Sequence, residues 1–184
     1  MTDNVMCPAG ETLKPPTADS ENTNYYGRTT MSITNMEKYE NYKEQFGRLK
    51  RSLANEFFLE AIFIEYAIIE DRATSILWHA GVYNPEKHNK LAAKIRRIRE
   101  IIKVKNRKEL LKKYITDELL DDITLWKDQR NALIHDLLNQ KVTKEQLKTC
   151  AERGNEICKT LRNKAGSYAR VLEKTINAEK EKLS

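Results

Sequence analysis

The chain reads as all-α, an up-and-down bundle of four to five long helices, on three observations. Glycine and proline are scarce, six and four in 184 residues, and three of the prolines precede residue 17. Leu, Ile, Ala, Glu, Lys and Arg fill long runs that contain few helix breakers. Within those runs the apolar residues recur three and four apart, the spacing of one helical face. The 33% of charged residues and the mean hydropathy of −0.71 therefore belong to amphipathic helices rather than to a disordered chain.

At this length one domain can bury roughly two-thirds of its unfolded surface. A formal charge of +6 and a pI near 9.1 suit an anionic partner. The three cysteines, Cys7, Cys150 and Cys158, are odd in number. Cys150 and Cys158 fall on one predicted helix, too far apart along its axis to bridge, and no short-spaced set of four zinc ligands accompanies them. They read as reduced thiols, two of them small core residues. No signal-peptide pattern opens the chain. The longest apolar run, residues 61–69, is interrupted by Glu65 and too short to span a bilayer. The expectation is a cytoplasmic protein with a domain over 35–180, preceded by a flexible leader over 1–34 that is rich in Thr, Asn and Pro.

Taken in order, Thr34 or Asn35 is a suitable N-cap for a first helix through Tyr39, Tyr42, Phe46 and Leu49, which Gly47 weakens. A second helix over about 53–79 is apolar on most sides, with one stripe of Phe58, Ile62, Ile69 and Ile76 and another of Phe57, Ile64 and Ile68. A helix of that kind is a central one. Gly81 stops it, and Asn84-Pro85 begins the next element. The third helix, about 85–104, turns Leu91, Ile95, Ile98 and Ile102 inward. Its other face is basic, from Lys94, Arg96, Arg97 and Arg99 to Lys103, Lys105 and beyond. A short helix covers about 107–114, and Thr116 caps a helix with 119–138 as its body. Thr143 with Gln146 forms a capping box for a last helix from Lys144 to about Lys180, with Gly154 and Gly166 as weak points.

The chemistry concentrates in Leu125-Trp126-Lys127-Asp128-Gln129-Arg130-Asn131-Ala132-Leu133-Ile134-His135-Asp136-Leu137-Leu138. At about 100° per residue, Asn131 and His135 share a face, with Thr124 and Asp128 beside them. Arg130 falls instead inside the apolar arc of Trp126, Ile134 and Leu137. A permanent cation there must find a carboxylate, a phosphate or the water of a cleft. A fixed cation, an amide and an acid–base candidate within six residues make a plausible phosphodiester site. Were the bond that of RNA, cutting it through the 2′-hydroxyl would need a base, an acid and a cation on the phosphorane. A histidine serves either proton-transfer role, and Arg130 would grip non-bridging oxygens bidentately. A twofold dimer would bring two His135 and two Arg130 together. Asn131 would orient the imidazole or donate to the phosphate.

Arg130-Asn131-Ala132-Leu133-Ile134-His135 resembles the signature of HEPN domains: Arg, four to six residues, then His, often with Asn directly after the Arg. The match extends over about 35–180, with an apolar early helix and the motif opening the second half. The resemblance implies a HEPN-like helical bundle and a metal-independent endoribonuclease that needs no cofactor. Such enzymes work as homodimers with the motif helices at the interface, and many are toxins or effectors of antiviral defence. It assigns catalysis to Arg130, Asn131 and His135. It also implies a possible antitoxin, such as a nucleotidyltransferase-like protein. Arg72 to His79 also satisfies the pattern, with six residues between, but without the Asn and at a helix end, so it is not assigned.

Other readings of these residues stay open. Glu65 lies on the apolar stripe of the second helix and needs a partner, so it is the expected carboxylate for Arg130, either as a structural pair or as support that presets the guanidinium. Arg96, Arg97, Arg99, Lys103 and Lys105 are either a solvated face or a phosphate track for RNA. Asp128 and Asp136 read as solvated helix charges, and Trp126 and Trp78 as core aromatics. The alternative to a nuclease is a non-catalytic helical module that binds RNA or a partner protein.

Overall fold

The computed structural model describes residues 35–103, 109–139 and 141–183. The leader over 1–34, Cys7 and Lys105 lie outside them. The described residues form six helices and no strand: α1 Asn35–Ala54, α2 Phe58–His79, α3 Leu91–Lys103, α4 Glu109–Tyr114, α5 Asp117–Leu137 and α6 Lys144–Leu183. The chain divides into two units, one ending at Tyr42 and one running from Lys43 to Ser184. Of the first, only the opening turns of α1 are described, and they are exposed over 36–41. Everything that follows belongs to the second.

Both ends of the α1–α2 connection are set by backbone chemistry. Glu56 takes a left-handed φ of +60°, the Phe57 N–H donates to the Ser52 carbonyl at 2.8 Å, and the Glu56 N–H donates to that of Leu53 at 3.2 Å. That is a Schellman reversal, and it sends the chain into α2. Phe57, expected in a core stripe, is thereby left outside the helix and 60% exposed. The same pattern closes α2. Gly81 has φ +67°, the Val82 N–H donates to Leu77 and that of Gly81 to Trp78. Trp78 is also not a core aromatic. It is 69% exposed, because Ala73, Ile76 and Leu77 already define the inward face of that turn.

α2 packs chiefly against α6 and α3, burying Ala61, Ile62, Ile68, Ile69, Ile76 and Leu77. α3 turns Leu91, Ile95, Ile98 and Ile102 inward as expected, but starts later, after a turn over 85–87. Lys94 departs from the basic face: it is 6% exposed, with its Nζ 3.1 Å from Glu70 on α2. Thr116 caps α5, its hydroxyl accepting from the Leu119 N–H at 3.4 Å. The capping box of α6 is formed, with Thr143 N–H donating to Gln146 Oε1 at 2.8 Å and Gln146 N–H to Thr143 Oγ1 at 3.3 Å. α6 runs unbroken through Gly154 and Gly166. Its inner face carries Cys150, Ala151, Ile157, Cys158, Leu161, Ala165 and Tyr168. No helix among the described residues is long and apolar enough to cross a membrane.

Candidate functional site

α5 changes character at Trp126. Up to that point Leu119, Leu120, Ile123 and Trp126 are buried, and the Trp126 indole N–H donates to the Cys150 carbonyl of α6 at 2.9 Å. Beyond it the helix buries nothing further. Arg130, Asn131, Leu133, Ile134 and Leu137 are half-buried, while Ala132, His135 and Asp136 are exposed. Leu125 and Leu138 are exposed as well. The half of α5 that carries the motif thus presents an apolar surface, with its polar residues set into it.

Arg130 finds no carboxylate among the described residues. Its guanidinium lies 4.6 Å from the Tyr66 ring centroid and 5.2 Å from that of Phe63, both on α2. Its Nη1 donates to Asn131 Oδ1 at 3.1 Å, and its Nε is buried without an acceptor. Stacking on ring faces holds a cation by about 0.5–2 kcal/mol while leaving its charge uncompensated. Asn131 is therefore tied to Arg130, and no hydrogen bond joins it to His135 among the described residues. Phe63 and Tyr66 were missed in the sequence. Phe63 lies off both apolar stripes of α2, and that surplus aromatic was the available signal.

The expected Glu65–Arg130 pair is not made. Glu65 is wholly buried, and neither carboxyl oxygen has a partner among the described residues. It points toward α6, where Gly154 leaves room: a Cβ there would stand 2.1 Å from Glu65 Oε2 and 2.8 Å from Trp126 Nε1. Burial pushes the Glu65 carboxyl up to about 9, so it is neutral near pH 7 and offers Arg130 no charge. Cys158 contributes its Sγ–H to the Glu65 backbone carbonyl at 3.5 Å. Burial, reinforced by Glu65, pushes Cys150 up to about 11 and also raises Cys158, so these thiols are packing residues rather than nucleophiles.

The remaining candidates are spread out. In the second Arg–His match, Arg72 pairs with Asp71 at 3.0 Å and His79 Nδ1 donates to the Ser75 carbonyl at 3.0 Å. Arg99 joins α3 to α5 through Asp117 at 3.4 Å and Asp121 at 2.8 Å. Arg97 engages Glu100 at 3.0 Å, whereas Arg96 and Lys103 are exposed. No group of three or more His, Cys, Asp or Glu is placed to hold a metal among the described residues. No protein-family model, curated protein or solved structure matches the chain.

Proposed function

We propose that the chain is a HEPN-type, metal-independent endoribonuclease that acts as a homodimer, with Arg130, Asn131 and His135 as its working residues. The observation that carries this reading is Arg130. It is a permanent cation, held in place by two aromatic rings and an amide, with no carboxylate in ion-pair range among the described residues. Such a charge is available to a phosphodiester. The exposed His135 and the half-buried Leu133, Ile134 and Leu137 supply what a twofold contact along α5 needs: an apolar surface with an imidazole on it.

In the reaction one His135 takes the proton of the RNA 2′-hydroxyl as that oxygen attacks phosphorus. The partner chain's imidazole protonates the departing 5′-oxygen, and the products are a 2′,3′-cyclic phosphate and a 5′-hydroxyl. Arg130 stabilises the charge that builds on the non-bridging oxygens, and Asn131 sets the plane of the guanidinium. A role as a toxin or antiviral effector in the cytoplasm, restrained by an antitoxin such as a nucleotidyltransferase-like protein, belongs to this same reading. Arg96 and Lys103 are the exposed cations of α3 best placed to follow an RNA backbone.

A second reading, a non-catalytic module for RNA or a partner protein, is favoured by the burial of Arg130 Nε and its contacts within the chain. Total RNA incubated with wild type and His135→Ala, with and without EDTA, separates the two. Cleavage by wild type that survives EDTA and is lost in His135→Ala supports the nuclease. Salt-sensitive binding without cleavage in either protein supports the module.

A further inference from the structure

Apart from the α5 surface, the turn after α2 and the first half of α3 frame a half-open cleft of about 400 Å³, lined among others by Asn84, Lys87, His88, Arg96, Arg97 and Glu100. Asn84 makes the turn rigid: its side-chain oxygen accepts from the Lys87 N–H at 3.0 Å, and its carbonyl accepts from the His88 N–H at 2.8 Å. Its own N–H donates to His88 Nδ1 at 3.0 Å. An imidazole whose Nδ1 is an acceptor must carry its proton on Nε2. His88 is 8% exposed, and that Nε2–H has no acceptor among the described residues. It is a donor on the wall of the cleft, open to whatever enters it.

The charges around it are unbalanced. Glu100 is the carboxylate of the cleft and is engaged by Arg97 at 3.0 Å. Lys87 and Arg96 have no ion-pair partner among the described residues. Burial and the positive charges of Arg97, Lys87 and Lys94 hold the His88 imidazole below its usual range, with Glu100 opposing them. A guanidinium fork, an ammonium and an imidazole N–H donor therefore line one half-open cleft. A carboxylate has two oxygens for these three groups, and a phosphodiester carries a single charge. A terminal phosphate offers three oxygens and close to two negative charges.

We propose that this cleft binds a terminal phosphate monoester, with Arg96, Lys87 and the His88 Nε2–H as its ligands. The volume admits the phosphate and the sugar of a nucleotide, so the phosphate belongs either to a free nucleotide or to the 5′ end of an RNA. The site does not depend on the nuclease reading, and His135→Ala should leave it intact.

The test is calorimetric titration of the full chain with inorganic phosphate, with AMP, and with one short oligoribonucleotide carrying either a 5′-phosphate or a 5′-hydroxyl. Wild type should bind AMP and prefer the phosphorylated oligonucleotide. Arg96→Ala, at an exposed position, should weaken both by about tenfold or more and remove the preference. His88→Gln should weaken them similarly, and Lys87→Ala should lower the salt dependence. An oligonucleotide 5′-phosphate held at least about tenfold tighter than AMP identifies an RNA end as the ligand, and equal affinities identify a free nucleotide. No binding of phosphate or AMP at millimolar concentration together with no preference for the 5′-phosphate, or affinities unchanged by Arg96→Ala, would overturn the proposal.

Discussion

Replacing Glu65 by Gln should change how stability depends on pH, and in a direction that depends on where the carboxyl sits. In the folded chain Glu65 is pushed from its ordinary 4.5 up to about 9 by burial. The stability of the native state is then complete below the ordinary value and declines as pH rises, because the unfolded carboxyl has lost its proton while the native one must keep it. Each pH unit in that window removes about 1.4 kcal/mol. From about pH 5 to about pH 8 the loss sums to about 4 kcal/mol, an upper figure because α6 relaxes around a charged Glu65. Gln holds a neutral side chain of the same shape at every pH. Urea unfolding across this range should find the two proteins close near pH 5 and Glu65→Gln increasingly the more stable toward pH 8. Every other titratable group is common to the two proteins, so the difference between the curves isolates position 65. Parallel curves, or a wild type that gains on the variant with rising pH, would mean that Glu65 is ionised and paired, with Arg130 the first suspect, and would refute this placement.

Gly154→Ala should destabilise the chain by about 2–3 kcal/mol in the same assay, since its Cβ would meet Glu65 and the Trp126 indole at once. Adding Glu65→Ala should recover much of that loss by removing the nearer clash, giving a coupling a double-mutant cycle can read. Thr143→Ala should cost about 1 kcal/mol and lower the melting temperature, because the capping box of α6 loses its hydroxyl.

The helices were readable where a local signal and the tertiary packing agreed. Thr116, Thr143 with Gln146, and Gly81 each announced an end that the structure keeps, because capping is decided within four or five residues. The break between α1 and α2 was not readable in the same way. Glu56 is an unusual residue for a left-handed φ, and nothing local marks it. Exposure at helix ends was also hidden: Trp78 and Phe57 have the composition of a core and lie outside it. Lys94 shows the reverse case, a cation drawn inward because Glu70 on α2 faces it.

At the candidate site the pattern of Arg130, Asn131 and His135 on α5 was visible, and so was the need of Arg130 for a partner. Which partner it took was not. The choice between Glu65 and the rings of Phe63 and Tyr66 involves α6, far along the chain, where Gly154 makes the hollow that receives the Glu65 carboxyl. Read from sequence, Gly154 was only a weak point of a helix. In the structure it is where the Glu65 carboxyl and the Trp126 indole come up against α6.

Specific cleavage activity against protein concentration, measured alongside sedimentation, is the sharpest check on the proposed nuclease, in which two copies of the motif half of α5 would meet to complete one reaction site. Activity per chain should rise with concentration and level off where the dimer forms. Ala132→Glu, at an exposed position on that helix, should shift both curves together to higher concentration while the fold stays intact. Cleavage that proceeds equally well from a monomer, or a dimer that forms without cutting RNA at any concentration, would contradict it.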